Sequence, residues 1–241
     1  MTIQTLHGQV AIVTGGGSGI GRAVALALAQ SGAKVTLAAR TKQKLDELVS
    51  EITKAGGTAL AVPTDVSSES QVEDLVAKTT ASFGHIDILI TSAGGAYFGP
   101  IIESRTEDWD SMINVNLRGI YLCCKHVVRA MLPRGQGHIL NVLSIASTHT
   151  LSGSTGYTAS KMGSLGLTRV IAAEVRSAGI KVTAVIPGAV DTPLWDTSGS
   201  TLDRSKMLSA TDVANAMISV IAQPPGIHTD EIVLMPPLGV L

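Results

Sequence analysis

The sequence predicts a doubly wound α/β fold, one seven-stranded parallel sheet with helices on both faces. Three observations carry this. Short apolar runs alternate with longer helical segments along the 241 residues. The runs are apolar nearly throughout rather than at every second position, as strands covered on both faces must be. Gly32, Gly56, Gly84 and Gly179 each fall where a helix should stop.

The strands, in order, are VAIVT (10–14), KVTLAA (34–39), TALAV (58–62), IDILIT (86–91), HILNV (138–142), KVTAVI (181–186) and EIVLM (231–235). Helical character lies between them, at about 19–31, 41–55, 68–83, 106–131, 154–178 and 211–222. No repeat, low-complexity tract or Pro- or Ser-rich linker divides the pattern, so residues 1–241 read as one domain. Sheets of this kind bind ligands beyond the carboxyl ends of their strands, which directs attention to the loops there.

Bulk composition excludes several classes. Charged residues are 15% and hydrophobic ones 45%, against roughly 25% charged in ordinary soluble domains. That imbalance implies large buried surfaces, in a core or between subunits. A net charge of -1 argues against a nucleic-acid partner. The longest apolar run, residues 23–29, is far short of the roughly 20 residues of a membrane span. MTIQTLHGQV carries neither a basic nor an apolar leader. Cys123 and Cys124, the only cysteines, fit no disulfide framework and no metal spacing. A reducing cytoplasm is the expected location, with both cysteines on a helix and one of them buried. The six histidines show no ligand spacing, so no catalytic metal is expected.

After the first strand comes TGGGSGIG, residues 14–21. Glycines let the backbone approach a phosphate, and the following helix points its N-terminus at it. Gly15, Gly17, Ser18, Gly19 and Ile20 are therefore cofactor candidates, in the strand-to-helix context that a dinucleotide site needs. Arg22 follows Gly21, so this is not a P-loop. An NAD site ends its second strand on an acid; here Ala38, Ala39 and Arg40 stand there. An arginine fork binds a 2′-phosphate that a carboxylate would repel. NADP(H) is thus the preferred cofactor and NAD(H) the alternative. The plain reading of Arg40 is a solvated residue beside Lys42 and Lys44.

YTASK, residues 157–161, places Tyr157 and Lys161 one helical turn apart. A nearby ammonium lowers a phenol's pKa from about 10 and suits it to proton transfer. Alone, such a pair more often marks a solvated helix face. Ser144, 13 residues upstream, and Asn116 in NVNLRG complete a pattern.

These segments, in this order and spacing, resemble the short-chain dehydrogenase/reductase family, from about residue 8 to 235. The resemblance implies a Rossmann-like fold and hydride transfer between a nicotinamide and a carbonyl or secondary alcohol, of ketone or β-ketoacyl reductase type. Its Asn-Ser-Tyr-Lys tetrad maps onto Asn116, Ser144, Tyr157 and Lys161. It makes Tyr157 the proton donor and Ser144 the partner of the carbonyl oxygen. Lys161 would hold the ribose and tune Tyr157, and Asn116 would hold a relay water. It adds Asp65 and Val66 as adenine contacts, where an N-cap is the plain alternative. Ser92, Ala93, Gly94 and Val115 would line the cofactor, as would Pro187, Gly188, Val190 and Thr192 of PGAVDT.

Two departures stand out. Ser92 replaces the family's usual asparagine, which predicts some loosening of the central sheet. The ending EIVLMPPLGVL lacks the common glycine pair. The substrate segment spans about 192–209, where Trp195 is a lid residue or a packing anchor. His149 lines the pocket or sits in a loop. Small residues Ala159, Gly163, Gly166, Ala172 and Ala173 on one helix agree with the family's habit of forming homotetramers or homodimers; packing on the chain's own sheet is the alternative. Two other classes compete. A non-catalytic nucleotide sensor should lack Tyr or Lys of the tetrad. A sugar-nucleotide epimerase or dehydratase needs a larger C-terminal region.

Overall fold

The computed structural model describes residues 6–197 and 202–240. Seven strands form one sheet: β1 (Val10–Thr14), β2 (Lys34–Ala39), β3 (Thr58–Pro63), β4 (Ile88–Thr91), β5 (Gly137–Val142), β6 (Ile180–Pro187) and β9 (Glu231–Leu234). Their spatial order is β3-β2-β1-β4-β5-β6-β9, and every pair is parallel. Chain order reverses between β1 and β4. The register there pairs Thr14 with Thr91, so both carboxyl ends stop level and open one crevice.

The alternation of side chains along each strand divides the core in two. Ala11, Val13, Ile88 and Ile90 point to one face, under α1 (Gly19–Gln30), α2 (Lys42–Lys54) and α7 (Ala210–Ile221). Ile12, Leu89 and Ile139 point to the other, under α3 (Glu69–Phe83), α5 (Gly119–Met131) and α6 (Thr155–Val175). Strands buried on both sides are why the sequence runs are apolar throughout. Helix stops fall as expected; α3, for example, ends at Gly84 in the left-handed region, φ 90°.

One expectation is corrected and others gain detail. The segment read as helical, 106–131, is helical throughout, as α4 (Thr106–Met112), a π-helical stretch over Ile113–Arg118, and α5. A short parallel pair, β7 (Val190–Asp191) and β8 (Leu208–Ser209), brackets the substrate segment; two-residue strands leave no periodic signal. Both cysteines are buried, not one: Cys124 donates to Asn141 Oδ1 at 3.6 Å, and burial pushes its thiol up to about 12. At Ser92 the backbone N–H donates to Thr14 O at 3.2 Å and Thr14 Oγ1 at 3.1 Å, bonds that do not depend on the side chain. Of the small residues on α6, Gly163 sits against Leu117 of the same chain, whereas Gly166 faces open space.

Candidate active site

The site is assembled around Thr14, the last residue of β1. Its hydroxyl is buried and accepts from the N–H groups of Ser92 and Ala93 at 3.1 and 3.3 Å. The loop after β1 is thereby keyed to the loop after β4. Gly15 is the contact point. It has φ 67°, and a Cβ built there would lie 2.6 Å from Ser92 O. The helix that follows begins at Gly19, with no side-chain bond from the Ser18 cap, so its first N–H groups are not satisfied by that side chain.

Beside this loop lies a cleft of about 240 Å³. Gly15, Gly17, Ser18, Arg40, Asp65, Val66, Ala93, Gly94 and Val115 line it, all cofactor candidates from the sequence. Lys44 and Thr41 also line it and were not singled out. A usable signal existed: Lys44 stands four residues after Arg40. Glycine at 17 keeps the floor low, with the Lys44 Cβ only 3.4 Å from where its own Cβ would be. Asp65 is engaged locally, accepting from Ser67 N at 2.9 Å and Ser67 Oγ at 2.7 Å. Those bonds, aided by Arg40 against the opposing effect of burial, hold its carboxyl below the usual range. Asp65 thus lines the cleft and also braces the turn ahead of Ser68, the N-cap of α3.

A second, smaller space of about 100 Å³ lies beyond the carboxyl ends of β5 and β6. Ile20, Ser144, Tyr157, Pro187, Gly188, Val190, Thr192 and Trp195 line it, again as the sequence suggested. The sequence reading did not single out Phe98, Leu143, Ile145, Leu151, Leu194, Leu202 and Val240, which are also there. Trp195 belongs to both of its readings: it lines this space, and its indole N–H is anchored on Val190 O at 2.8 Å. His149 is exposed, bonded to the neighbouring Thr148 hydroxyl at 2.9 Å, and absent from the lining. Residues 198–201 of the substrate segment lie outside the described residues.

The four tetrad candidates converge, in unequal roles. Ser144 caps the turn after β5, accepting from Ala146 N at 3.2 Å, and lies within hydrogen-bonding reach of the Tyr157 phenol. Lys161 is buried and donates from Nζ to Val142 O at 3.0 Å. Burial lowers its pKa to about 8. Its Nζ sits 5.7 Å from the centre of the Tyr157 ring. The expected lowering of the phenol's pKa is not what dominates: burial raises it, and Ser144 only partly offsets that. The ammonium reaches toward a main-chain carbonyl and the ring, and does not close on the hydroxyl.

Asn116 is fully buried within the π-helical stretch. It accepts from Gly95 N at 2.9 Å and donates to Gly95 O at 2.9 Å and Ser160 Oγ at 3.0 Å. Ser160 in turn donates to Tyr157 O at 2.7 Å. Both amide hydrogens of Asn116 are therefore taken in tying the β4 loop to α6. Elsewhere, Glu69, Glu73 and His126 bring their ligand atoms within 4.8 Å of one another, a cluster the sequence spacing did not suggest. Lys125 already sits on Glu69 at 2.6 Å.

A parallel doubly wound sheet, a glycine loop at its switch point and a half-buried Tyr beside a buried Lys and Ser define an NAD(P)-dependent oxidoreductase of Rossmann type. The chain belongs to the short-chain dehydrogenase family, whose profile matches residues 9–203. It is 37% identical over 236 residues to an uncharacterized oxidoreductase of Staphylococcus aureus (strain MRSA252), covering 98% of this chain and 100% of that one. A metagenomic short-chain oxidoreductase solved in complex with NADP superposes with a TM-score of 0.84 at 33% identity, covering 96% and 98% of the two chains. An actinorhodin polyketide ketoreductase variant with NADPH gives a TM-score of 0.88 at 29% identity, covering 96% and 97%.

Proposed function

We propose that the protein is an NADP(H)-dependent carbonyl reductase, with Tyr157 as proton donor. The observation that carries the cofactor choice is the pair Arg40 and Lys44 on the rim of the larger cleft. Neither makes an ion pair among the described residues, and no acid ends β2. The cleft fits a dinucleotide on its own chemistry: a Cβ at Gly15 would collide with backbone, and the N-terminus of α1 begins beside it. Gly15, Gly17 and Ser18 would hold the phosphates, Arg40 and Lys44 a 2′-phosphate, and Lys161 the nicotinamide ribose. A bound nicotinamide supplies the hydride.

The chain's own part is orientation and the proton. Tyr157 keeps its proton at neutral pH because burial raises its pKa. The phenol then delivers that proton to the carbonyl oxygen as charge develops there. Ser144 accepts from Ala146 N and donates to the Tyr157 phenol, and the same hydroxyl hydrogen would turn to the carbonyl oxygen when substrate arrives. Asn116 is a positioning residue here: through Ser160 it fixes the backbone carbonyl of Tyr157. The relay water implied by the resemblance would be a second duty of this residue.

Two measurements test the reading. Comparing kcat/KM for NADPH and NADH should favour NADPH, and Arg40→Ala should cost about 10–100-fold with NADPH, the weight of charge-assisted bonds. It should leave NADH within about 2-fold. Equal use of both cofactors by the unaltered protein would overturn the NADP assignment. The second concerns pH. Lys161 is cationic below about 8 and neutral above it. With ketone saturating, kcat/KM for the cofactor reports the free protein's ionisations. It should fall as pH rises through about 8, and a flat profile to pH 9.5 (roughly 1.5 units beyond that value) would detach Lys161 from cofactor binding.

A further inference from the structure

We propose that the substrate is a compact, uncharged, predominantly apolar ketone, selected by a wall that Phe98, Leu151, Leu194, Trp195 and Val240 build in the smaller space. This rests on the carbonyl-reductase reading and deepens it.

The wall comes from four separate parts of the chain. Phe98, in the loop after β4, meets Tyr157 edge-on, with ring centres 5.7 Å apart at 66°. On its other side it stacks on Trp195, at 6.0 Å and 13°. The chain has only seven aromatic residues, and three of them gather here. The segment after β9 supplies the last piece. Gly188 donates to Leu234 O at 2.8 Å, and a Cβ on Gly188 would meet Pro236 at 2.8 Å. Gly239 then turns back onto Pro236 O at 2.9 Å, and Val240 reaches the lining. The unusual PPLGV sequence thus closes over this chain's own site.

No charged side chain lines the space among the described residues; its polar groups are Ser144, Tyr157 and Thr192. A carboxylate or phosphate held there would lose water and find no cation, a large penalty. A sugar would bury hydroxyls against leucine and aromatic carbon without partners. Ser144 and Tyr157, converging beside an apolar wall, suit one carbonyl oxygen on an apolar body. Ile20, Pro187, Gly188, Val190 and Thr192 of this lining are also the expected cofactor contacts, so the substrate has only part of a space of about 100 Å³, well under the roughly 300–1,000 Å³ of sites for drug-sized ligands. Leu202 and Val240 are substantially exposed at the mouth, an apolar approach that agrees with the same class.

The test is kcat/KM with NADPH over matched substrates: small cyclic and aryl ketones, the corresponding keto acids, keto sugars and a β-ketoacyl thioester. We expect the neutral apolar ketones to exceed each other group by at least 100-fold. Comparable or better turnover of acids, sugars or the thioester overturns the substrate class while leaving the reductase reading intact. NADPH binding with no turnover in any arm overturns that reading and the class with it. Val240→Arg should raise the ratio of keto acid to its methyl ester at least 10-fold. Val240→Ala, a milder change, should shift preference toward bulkier ketones. Ratios unmoved in both variants would remove Val240 from the selecting wall.

Discussion

Tyr157→Phe should lower kcat by at least about 10²–10⁴-fold, the range of positioned acid–base catalysis, while the Kd for NADPH stays within about 2-fold. The substitution removes one oxygen. It leaves the ring that packs edge-on against Phe98 and the backbone carbonyl held by Ser160. Fold and cofactor cleft therefore survive, and the missing proton donor is isolated as the cause. Ser144 should not substitute for it: a hydroxyl of far higher pKa has little tendency to give up its proton. Fluorescence titration with NADPH alongside steady-state kinetics separates the two effects. Retention of more than about a tenth of kcat would reassign the proton source. A parallel loss of NADPH binding would mean that the phenol serves the cofactor instead.

Gly15→Ala should do the opposite, damaging fold and cofactor binding together. The residue has φ 67°, where an L side chain is strained, and its Cβ would lie 2.6 Å from Ser92 O and 2.7 Å from Ala93 N. These are backbone atoms, held by Thr14 Oγ1, so they cannot swing aside. Left-handed strain costs about 1–2 kcal/mol, and forced repacking about 1–3 kcal/mol more. The variant should lose roughly 2–5 kcal/mol of unfolding free energy on adding these, with NADPH affinity falling at least 10-fold. Chemical denaturation and NADPH titration measure both. A variant as stable as the parent would show that the two loops part more readily than their bonding indicates.

Much of the fold was legible because the physics is local. Strands such as VAIVT and ILIT are buried on both faces, so each advertises itself by an unbroken apolar run. The tetrad candidates were picked out by resemblance to a family pattern rather than by local physics: Ser144 caps the turn after β5, and Tyr157 and Lys161 share one helical turn. What escaped depends on partners distant in sequence. Phe98, Leu151, Leu194 and Val240 are ordinary apolar residues in loops, and only folding brings them together. Lys44 looked like one of several helix cations until its side of α2 was seen to rim the cleft. The phenol's pKa was misjudged because sequence spacing supplies the nearby ammonium but not the loss of water around the ring. The π-helical turn carries Asn116, whose side chain is bonded to Gly95 and Ser160, partners distant in sequence.

The division between the two spaces has a consequence for divergence. The groups proposed to move hydride and proton sit on strand ends and one helix, where a change disturbs the sheet. The selecting wall hangs on loops and on the segment beyond β9, where substitutions leave the core untouched. Substitutions in the wall should therefore alter substrate range while leaving the reaction type in place. Two chains of this lineage can share every tetrad residue and still differ in what they consume. A graft confined to residues 98, 151, 194, 195 and 240 is the shortest route between their appetites.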